Sequence, residues 1–151
     1  MTLLIKNILF TVLIPGTVGG YLPLWLGRQC RGMEAWWNWL GLLPLLLGAG
    51  ILLACIADFG KKGEGTPFPL DPPKNLVTGR LYQYSRNPMY VGVLAAIFGW
   101  AIWYSSWQVF LYWLAVCAVF NLFVILVEEP FLKKQFGSAY EAYCNRVRRW
   151  L

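Results

Sequence analysis

The stretch RNPMYVGVLAAIFGWAIWYSSWQVFLYWLAVCAVFNLFVILVEE, residues 86–129, sets the fold of this 151-residue chain. It holds two apolar runs, residues 88–104 and 107–127, and only Ser105 and Ser106 lie between them. Neither run contains a charge, and at about 1.5 Å of rise per residue each approaches the roughly 30 Å of a bilayer's hydrocarbon core. The stretch therefore predicts a helical hairpin of two antiparallel membrane spans.

Two further apolar segments lie upstream, at residues 8–26 and 36–57. The chain is 58% hydrophobic and 17% aromatic, with Trp and Tyr at the ends of the apolar runs, as in interfacial anchors. The first segment runs on past the length of a signal peptide and lacks a small-residue cleavage site. We predict an all-α integral membrane protein with about four transmembrane helices in a single domain, residues 1–151.

The Lys and Arg residues are distributed unevenly between the connections. Eleven fall at the N-terminus, in the second connection and after the fourth span, against two in the first connection and none in the third. This asymmetry predicts that both termini are cytoplasmic, in the bacterial inner membrane or an equivalent membrane. It also places Arg86 and the pair Glu128-Glu129 at the cytoplasmic ends of adjacent hairpin arms, as neighbours in space.

Composition excludes several classes of site. The net charge of +6 is carried by short connections beside apolar spans, which favours membrane lipids over nucleic acid as the partner. Histidine is absent, so there is no imidazole metal ligand and no histidine base. The four cysteines form no C-x-x-C pair and are expected to be small buried side chains. No metal site is predicted.

The segment after the fourth span, residues 130–150, is predicted to form amphipathic C-terminal helices. Glu129-Pro130 indicates a helix break, Gly137 the end of a short helix, and Ser138 to Glu141 a capping box. An apolar stripe recurs at helical spacing through this segment, at Leu132, Phe136, Tyr140, Tyr143 and Val147.

Each polar motif has a structural and a functional interpretation. Arg86 and Pro88 could be a snorkelling anchor and a first-turn proline, or one wall of a ligand site. Glu128-Glu129 could be solvated at the interface, paired with Arg86 or Arg80, or functional, since acids at a membrane boundary are costly. The basic, aromatic tail could lie in the lipid interface or close over a pocket.

Taken together, two motifs resemble the isoprenylcysteine carboxyl methyltransferase and phospholipid methyltransferase superfamily of membrane enzymes. They are LVTGRLYQYSRNPMYVG, Leu76–Gly92, and EEPFLKKQFGSAYEAYCNRVRRW, Glu128–Trp150, separated by a short apolar hairpin. The resemblance covers roughly the C-terminal half of the chain. The first two spans show only generic hydrophobicity.

The resemblance implies that S-adenosylmethionine binds at the cytoplasmic side. One carboxylate, Glu128 or Glu129, would receive the α-amino group of the cofactor, and aromatic and basic residues of the tail would close over it. The implied catalytic residues are Arg86, Asn87, Glu128 and Glu129. The implied cofactor-binding residues are Tyr84, Arg86, Asn87, Pro88, Tyr90, Gly92, Glu128, Glu129, Tyr140, Tyr143, Arg146 and Arg149. Asn87 stands where many eukaryotic relatives have histidine, so a histidine proton transfer is not carried over.

Such an enzyme chiefly needs to hold acceptor, methyl group and sulfonium in line, because the cofactor is already an activated donor. The expected partner is a lipophilic acceptor entering from the bilayer, and its reacting group and the oligomeric state stay open. Two alternatives remain at this stage. One is an NADPH-dependent membrane reductase of the sterol-reductase type, and the other is a non-catalytic membrane scaffold.

Overall fold

The structure, a computed structural model, describes residues 13–62, 76 and 78–151, with the backbone alone at 59–62. The start of the predicted first span and most of the second connection lie outside these residues. Every regular element in the described part is helical, in agreement with the prediction. The α-helices are α1 (Leu22–Gln29), α2 (Leu42–Lys62), α3 (Pro88–Trp103), α4 (Trp107–Phe123), α5 (Glu129–Phe136) and α6 (Ser138–Cys144). Single turns of wider or tighter helix lie at Thr17–Tyr21, Trp36–Gly41, Arg80–Gln83 and Val124–Glu128.

Two continuous helical stretches are long and apolar enough to cross a membrane, Trp36–Asp58 with 23 residues and Trp107–Phe136 with 30. Only 17% of the most apolar window of each is buried, so their apolar side chains face outward, as lipid-facing side chains do. Pro88–Trp103 is a shorter apolar helix. At 1.5 Å per residue it extends about 24 Å.

Helix α3 lies at the centre of the fold and packs against α1, α2 and α4. Val93, Ile97 and Ala101 of α3 are buried together with Val109 and Val116 of α4. Along the shared length of α3 and α4, Trp113 Nε1 donates to Leu94 O over 3.0 Å. Apolar residues thus fill the interface on this side of α3.

Helices α2 and α3 approach closely through glycines. A Cβ at Gly99 would lie 2.7 Å from Gly41 O, and one at Gly92 would lie 3.0 Å from Gly48 O. Small residues at such contacts allow two backbones to approach in an apolar solvent, where packing drives helix association. Gly92, implied above as a cofactor neighbour, therefore lies on the face of α3 that packs against α2.

Each of the two widened helical turns comes just before a proline. Leu22 N–H donates to Thr17 O ahead of Pro23, and Glu129 N–H donates to Val124 O ahead of Pro130. A proline ring clashes with the carbonyl four residues earlier in a regular helix, and the wider turn moves that carbonyl aside. The predicted proline in the first turn of an α-helix is confirmed by α5, but the predicted break is wrong, because the helical backbone continues without interruption to Phe136.

The C-terminal segment is amphipathic, as predicted. Tyr140, Tyr143 and Val147 are buried together and pack against Leu132 and Phe136, which confirms the apolar stripe. Gly137 separates α5 from α6 with φ of 52°, a left-handed conformation that glycine adopts without strain.

Two details of this segment differ from prediction. Ser138 is already inside α6 and no side chain caps its N-terminus, so the capping box is wrong. Glu141 pairs instead with Lys133, Oε1 to Nζ, over 2.9 Å. Helix also ends at Cys144 rather than continuing to 150, because the later carbonyls of Arg148 and Arg149 bond to another segment of the chain.

Candidate functional site

The segment before α3 and the two acids at the end of the long apolar helix meet in the structure. Arg86 Nη1 lies 3.1 Å from Glu129 Oε1, and the two side chains are 14% and 19% exposed. The widened turn at Val124–Glu128 and the proline after it bring Glu129 to this position. The neighbourhood predicted from the charge distribution is confirmed.

A second arginine binds the same carboxylate from the opposite end of the sequence. Arg149 Nε donates to Glu129 Oε1 over 2.8 Å and Arg149 Nη2 donates to Oε2 over 2.9 Å. Such two-point pairs combine charge with a fixed direction. Hydrogen bonding to Glu129 raises the pKa of Arg149, so its guanidinium stays charged at every physiological pH. Glu129 is thus held between two cations.

Main-chain atoms of the tail hold the segment before α3 in place. Arg86 N–H donates to Arg148 O over 2.9 Å, and Asn87 Nδ2 donates to Arg149 O over 2.9 Å. Ser85 Oγ accepts from Asn87 N–H over 3.1 Å and donates to Arg149 O over 3.4 Å. The buried Asn87 side chain therefore holds the tail against the segment before α3.

Glu128 has a different environment from its neighbour. Tyr90 donates its hydroxyl to Glu128 Oε2 over 2.9 Å, and the Tyr90 ring packs against Phe120 with centroids 4.7 Å apart. The Glu128 side chain is half-buried, and among the described residues no cation pairs with it. Of the two acids, Glu128 is the one whose charge is not compensated by the described side chains.

Two tyrosines of α6 form the inner face of the tail. Tyr143 is buried and donates its hydroxyl to Tyr82 O over 2.6 Å. Burial raises the pKa of Tyr143 to about 12, although the nearby Arg86 guanidinium acts to lower it. Tyr140 is buried beside it, with ring centroids 6.3 Å apart, and burial raises its pKa as well. Both hydroxyls therefore remain protonated donors.

Some of the residues implied by the resemblance do not join this cluster. Tyr84 is 69% exposed, and Arg146 is exposed with its Nε donating to Ala142 O over 3.3 Å. Pro88 is buried in the first turn of α3, and Gly92 faces α2. Their roles at a cofactor stay predictions.

Other residues contribute contacts that the sequence analysis did not single out. Arg86 Nη1 also donates to Cys144 Sγ over 2.7 Å, Ser85 orders the turn before Asn87, and Tyr82 receives the Tyr143 hydroxyl. Ser85 and Tyr82 lie just ahead of Arg86 in the sequence, and Cys144 follows Tyr143. Only their closeness in sequence to the motif residues could have indicated these positions, because they follow no helical or strand periodicity.

One buried donor in the cluster is unsatisfied. Arg86 Nε has no hydrogen-bond partner among the described residues, although the atom is buried. An unsatisfied buried N–H costs free energy that a bound acceptor would recover. Glu128, the residue directly before the Arg86 partner Glu129, has no paired cation among the described residues. An unsatisfied guanidinium N–H and an uncompensated carboxylate fit the carboxylate and ammonium of an amino acid moiety, which S-adenosylmethionine carries.

Within the described residues, no group of three or more His, Cys, Asp or Glu side chains could hold a metal ion.

Sequence comparison supplies the family. The profile described as "Phospholipid methyltransferase" matches residues 36–139, from the turn before α2 into the start of α6. This match covers more than half of the chain and includes Arg86, Asn87, Glu128 and Glu129. The chain belongs to the phospholipid methyltransferase family. Tyr140, Tyr143 and Arg149 lie beyond the matched residues, so their place in the site rests on the structure.

Two relatives extend the comparison. An uncharacterized protein of Haemophilus influenzae is 35% identical over 63 residues, which are 42% of this phospholipid methyltransferase family member and 100% of the relative. The steroid 5-alpha-reductase DET2 of Solanum lycopersicum is 27% identical over 140 residues, which are 89% of the chain. The chain spans 52% of the length of that tomato protein.

Proposed function

We propose that this protein transfers a methyl group from S-adenosylmethionine to a lipophilic or lipid-borne acceptor at the cytoplasmic face of the membrane. Membership of the phospholipid methyltransferase family supports methyl transfer in general. The observation that supports this cofactor is that the site holds two groups with unmet interactions. Arg86 Nε is a buried donor with no partner among the described residues, and no described cation compensates the charge of Glu128.

Each half of the amino acid moiety has a counterpart in the chain. Arg86 Nε offers an N–H to the cofactor carboxylate, while Glu129 holds the rest of the guanidinium in position through Nη1. Glu128 offers its carboxylate to the ammonium group. Glu129 is less suited to that role, because it already binds two guanidiniums. The choice between the two acids that the sequence left open is therefore resolved, in this proposal, in favour of Glu128.

Bound S-adenosylmethionine supplies a methyl group already activated on a sulfonium, so the residues of the chain chiefly orient and shield the reactants. The buried rings of Tyr140 and Tyr143 exclude water above Arg86. A carboxylate or thiolate acceptor needs no base, whereas an amine acceptor must reach the methyl group in its neutral form. The acceptor enters from the bilayer, because the flanking helices expose apolar faces.

The proposal places the four predicted spans as a bundle whose site end is cytoplasmic, with α3 and α4 as a transmembrane hairpin. The excess of Lys and Arg on that side supports it. A reporter fused after residue 151 tests the orientation. Activity of a cytoplasmic reporter is expected, and activity of a periplasmic reporter would refute it.

A second candidate is an NADPH-dependent reductase. The similarity to the tomato steroid 5-alpha-reductase over most of the chain favours it. The 2′-phosphate of NADPH requires basic contacts, and Arg146 and Arg148 are exposed in the tail. Methyl transfer is preferred because the family match covers the whole first motif and the start of the second, including Arg86, Glu128 and Glu129.

Calorimetry on the purified protein in detergent separates the candidates. S-adenosylmethionine, S-adenosylhomocysteine and NADPH are titrated into the wild type, into Glu128→Gln and into Glu141→Gln, an exposed acid that serves as the matched control. We expect binding of the first two compounds, lost in Glu128→Gln and kept in Glu141→Gln. Binding of NADPH alone would favour the reductase, and binding of none by folded protein would favour a scaffold.

A further inference from the structure

Asp58, a buried acid near the end of α2, is not part of the candidate site. The Asp58 side chain is 6% exposed, and its Oδ1 lies 3.2 Å from Nη1 of Arg80, which is 58% exposed. The other oxygen, Oδ2, is buried and has no partner among the described residues. Burying a carboxylate that is only half satisfied is costly, so the arrangement calls for a reason beyond stability.

Arg80, the partner of Asp58, has a strained backbone. Its φ is 51°, in the left-handed region that side chains with a Cβ rarely adopt. Gly79, directly before it, could take that conformation at no cost, yet its φ is −93°. A strained backbone conformation of this kind persists only where surrounding contacts impose it. Asp58 is the contact that the structure provides.

The turn that Arg80 begins links α2 to the tail. The Tyr82 hydroxyl is hydrogen-bonded to Cys55 of α2, and the Tyr82 carbonyl accepts from Tyr143 of α6. Arg86 follows the turn and donates its N–H to Arg148 O. A displacement of the turn would therefore move Arg86 and Tyr143 together.

We propose that Asp58 is a positioning residue for the candidate site: by holding Arg80 in its left-handed conformation, it sets the turn that places Arg86 and Tyr143. This inference rests on the proposed function, because the site that it positions is the proposed cofactor site. Among the described residues, Asp58 forms its ion pair with Arg80 and none with Arg86, so it acts through Arg80 and the turn that contains Tyr82.

Substitutions at Arg80 separate this role from a merely structural one. Arg80→Gly keeps the backbone conformation accessible and loses the ion pair, whereas Arg80→Lys keeps a cation. Arg80→Gly is expected to weaken S-adenosylhomocysteine affinity about tenfold while the unfolding temperature stays close to that of the wild type. Arg80→Lys should retain most of the affinity. Asp58→Asn should weaken affinity as Arg80→Gly does, and the double variant should be no weaker than either single one.

A second readout needs no ligand. Cys144 Sγ receives a hydrogen bond from Arg86 Nη1, so its rate of alkylation, followed by mass spectrometry, reports whether Arg86 is in place. Faster alkylation in Arg80→Gly and Asp58→Asn than in the wild type and Arg80→Lys is expected.

The outcomes are distinguishable. If the wild type binds none of the methyl-transfer ligands, the proposed function is wrong, and the alkylation rates still decide the positioning role. Unchanged alkylation of Cys144 in Arg80→Gly, or unchanged affinity in a variant of a protein that does bind, would overturn the inference alone.

Discussion

Arg149 donates from Nε and Nη2 to the two carboxylate oxygens of Glu129, over 2.8 and 2.9 Å, while Arg86 approaches the same carboxylate to 3.1 Å. One acid thereby joins the segment before α3, the end of the long apolar helix and the tail. Changes at either end of this junction should therefore alter the site.

Arg149→Lys should weaken S-adenosylhomocysteine affinity about tenfold, because an ammonium cannot reproduce the two parallel bonds of the guanidinium. Calorimetry measures the affinity, with Arg148→Lys, an exposed arginine of the same tail, as the matched control. Equal affinity of both variants and the wild type would show that the two-point contact does not shape the site.

Glu129→Gln and Glu128→Gln should differ in their effect on stability. Glu129→Gln leaves Arg86 and Arg149 without a carboxylate between them, and the free energy of unfolding should fall by about 1–3 kcal/mol. Glu128→Gln removes a charge that no described cation compensates, so stability should hold or rise. Denaturant titration in detergent provides both values. A larger loss in Glu128→Gln would reverse the assignment of roles.

Gly48→Ala should destabilise the packing of α2 on α3 by about 1–3 kcal/mol. A Cβ at Gly48 would clash with Gly92 O and approach Ala96 N to 2.7 Å, and both are backbone atoms that cannot move aside. Gly50→Ala, two residues along the same helix, meets nothing within 4 Å and is the control. It should be neutral or stabilising, as alanine generally is in a helix. Thermal unfolding compares the two, and similar midpoints would contradict the close approach.

Pro130→Ala should make the protein more stable and its cofactor affinity weaker. Without the proline ring, the widened turn at Val124–Glu128 can tighten to a regular helix, which reorients Glu128 and Glu129. Pro23→Ala, after the other widened turn, should affect stability without affecting affinity. If both variants keep wild-type affinity, the widened turn has no part in placing the acids.

Sequence patterns predicted those features that depend on composition over many residues. The apolar runs predicted helices close to 36–58, 88–103 and 107–123, and the helical stripe through Leu132 and Tyr143 predicted the buried face of the tail. The charge asymmetry predicted that Arg86 and the acid pair are neighbours. Both lie at the ends of two adjacent antiparallel helices, which the asymmetry assigns to the same side of the membrane.

Individual side-chain partners were not predictable in the same way. Glu128 and Glu129 are adjacent and chemically identical in sequence, yet one binds Tyr90 and the other two arginines. That division follows from a widened turn that shifts the helix face by a fraction of a turn. Gly92, next to RNPMY, suggested room for a ligand, but Gly48 and Ile51 of α2 occupy this space and lie more than forty residues away in sequence.

The junction at Glu129 also has a consequence for how the protein is made. Arg149 follows the described apolar helices in the sequence, so during synthesis Glu129 leaves the ribosome before Arg149 does. Until the tail folds back, the segment Ser85 to Asn87 lacks the carbonyls of Arg148 and Arg149 that hold it. The described apolar helices can therefore pack first, and the contacts around Glu129 are completed only when the tail folds back.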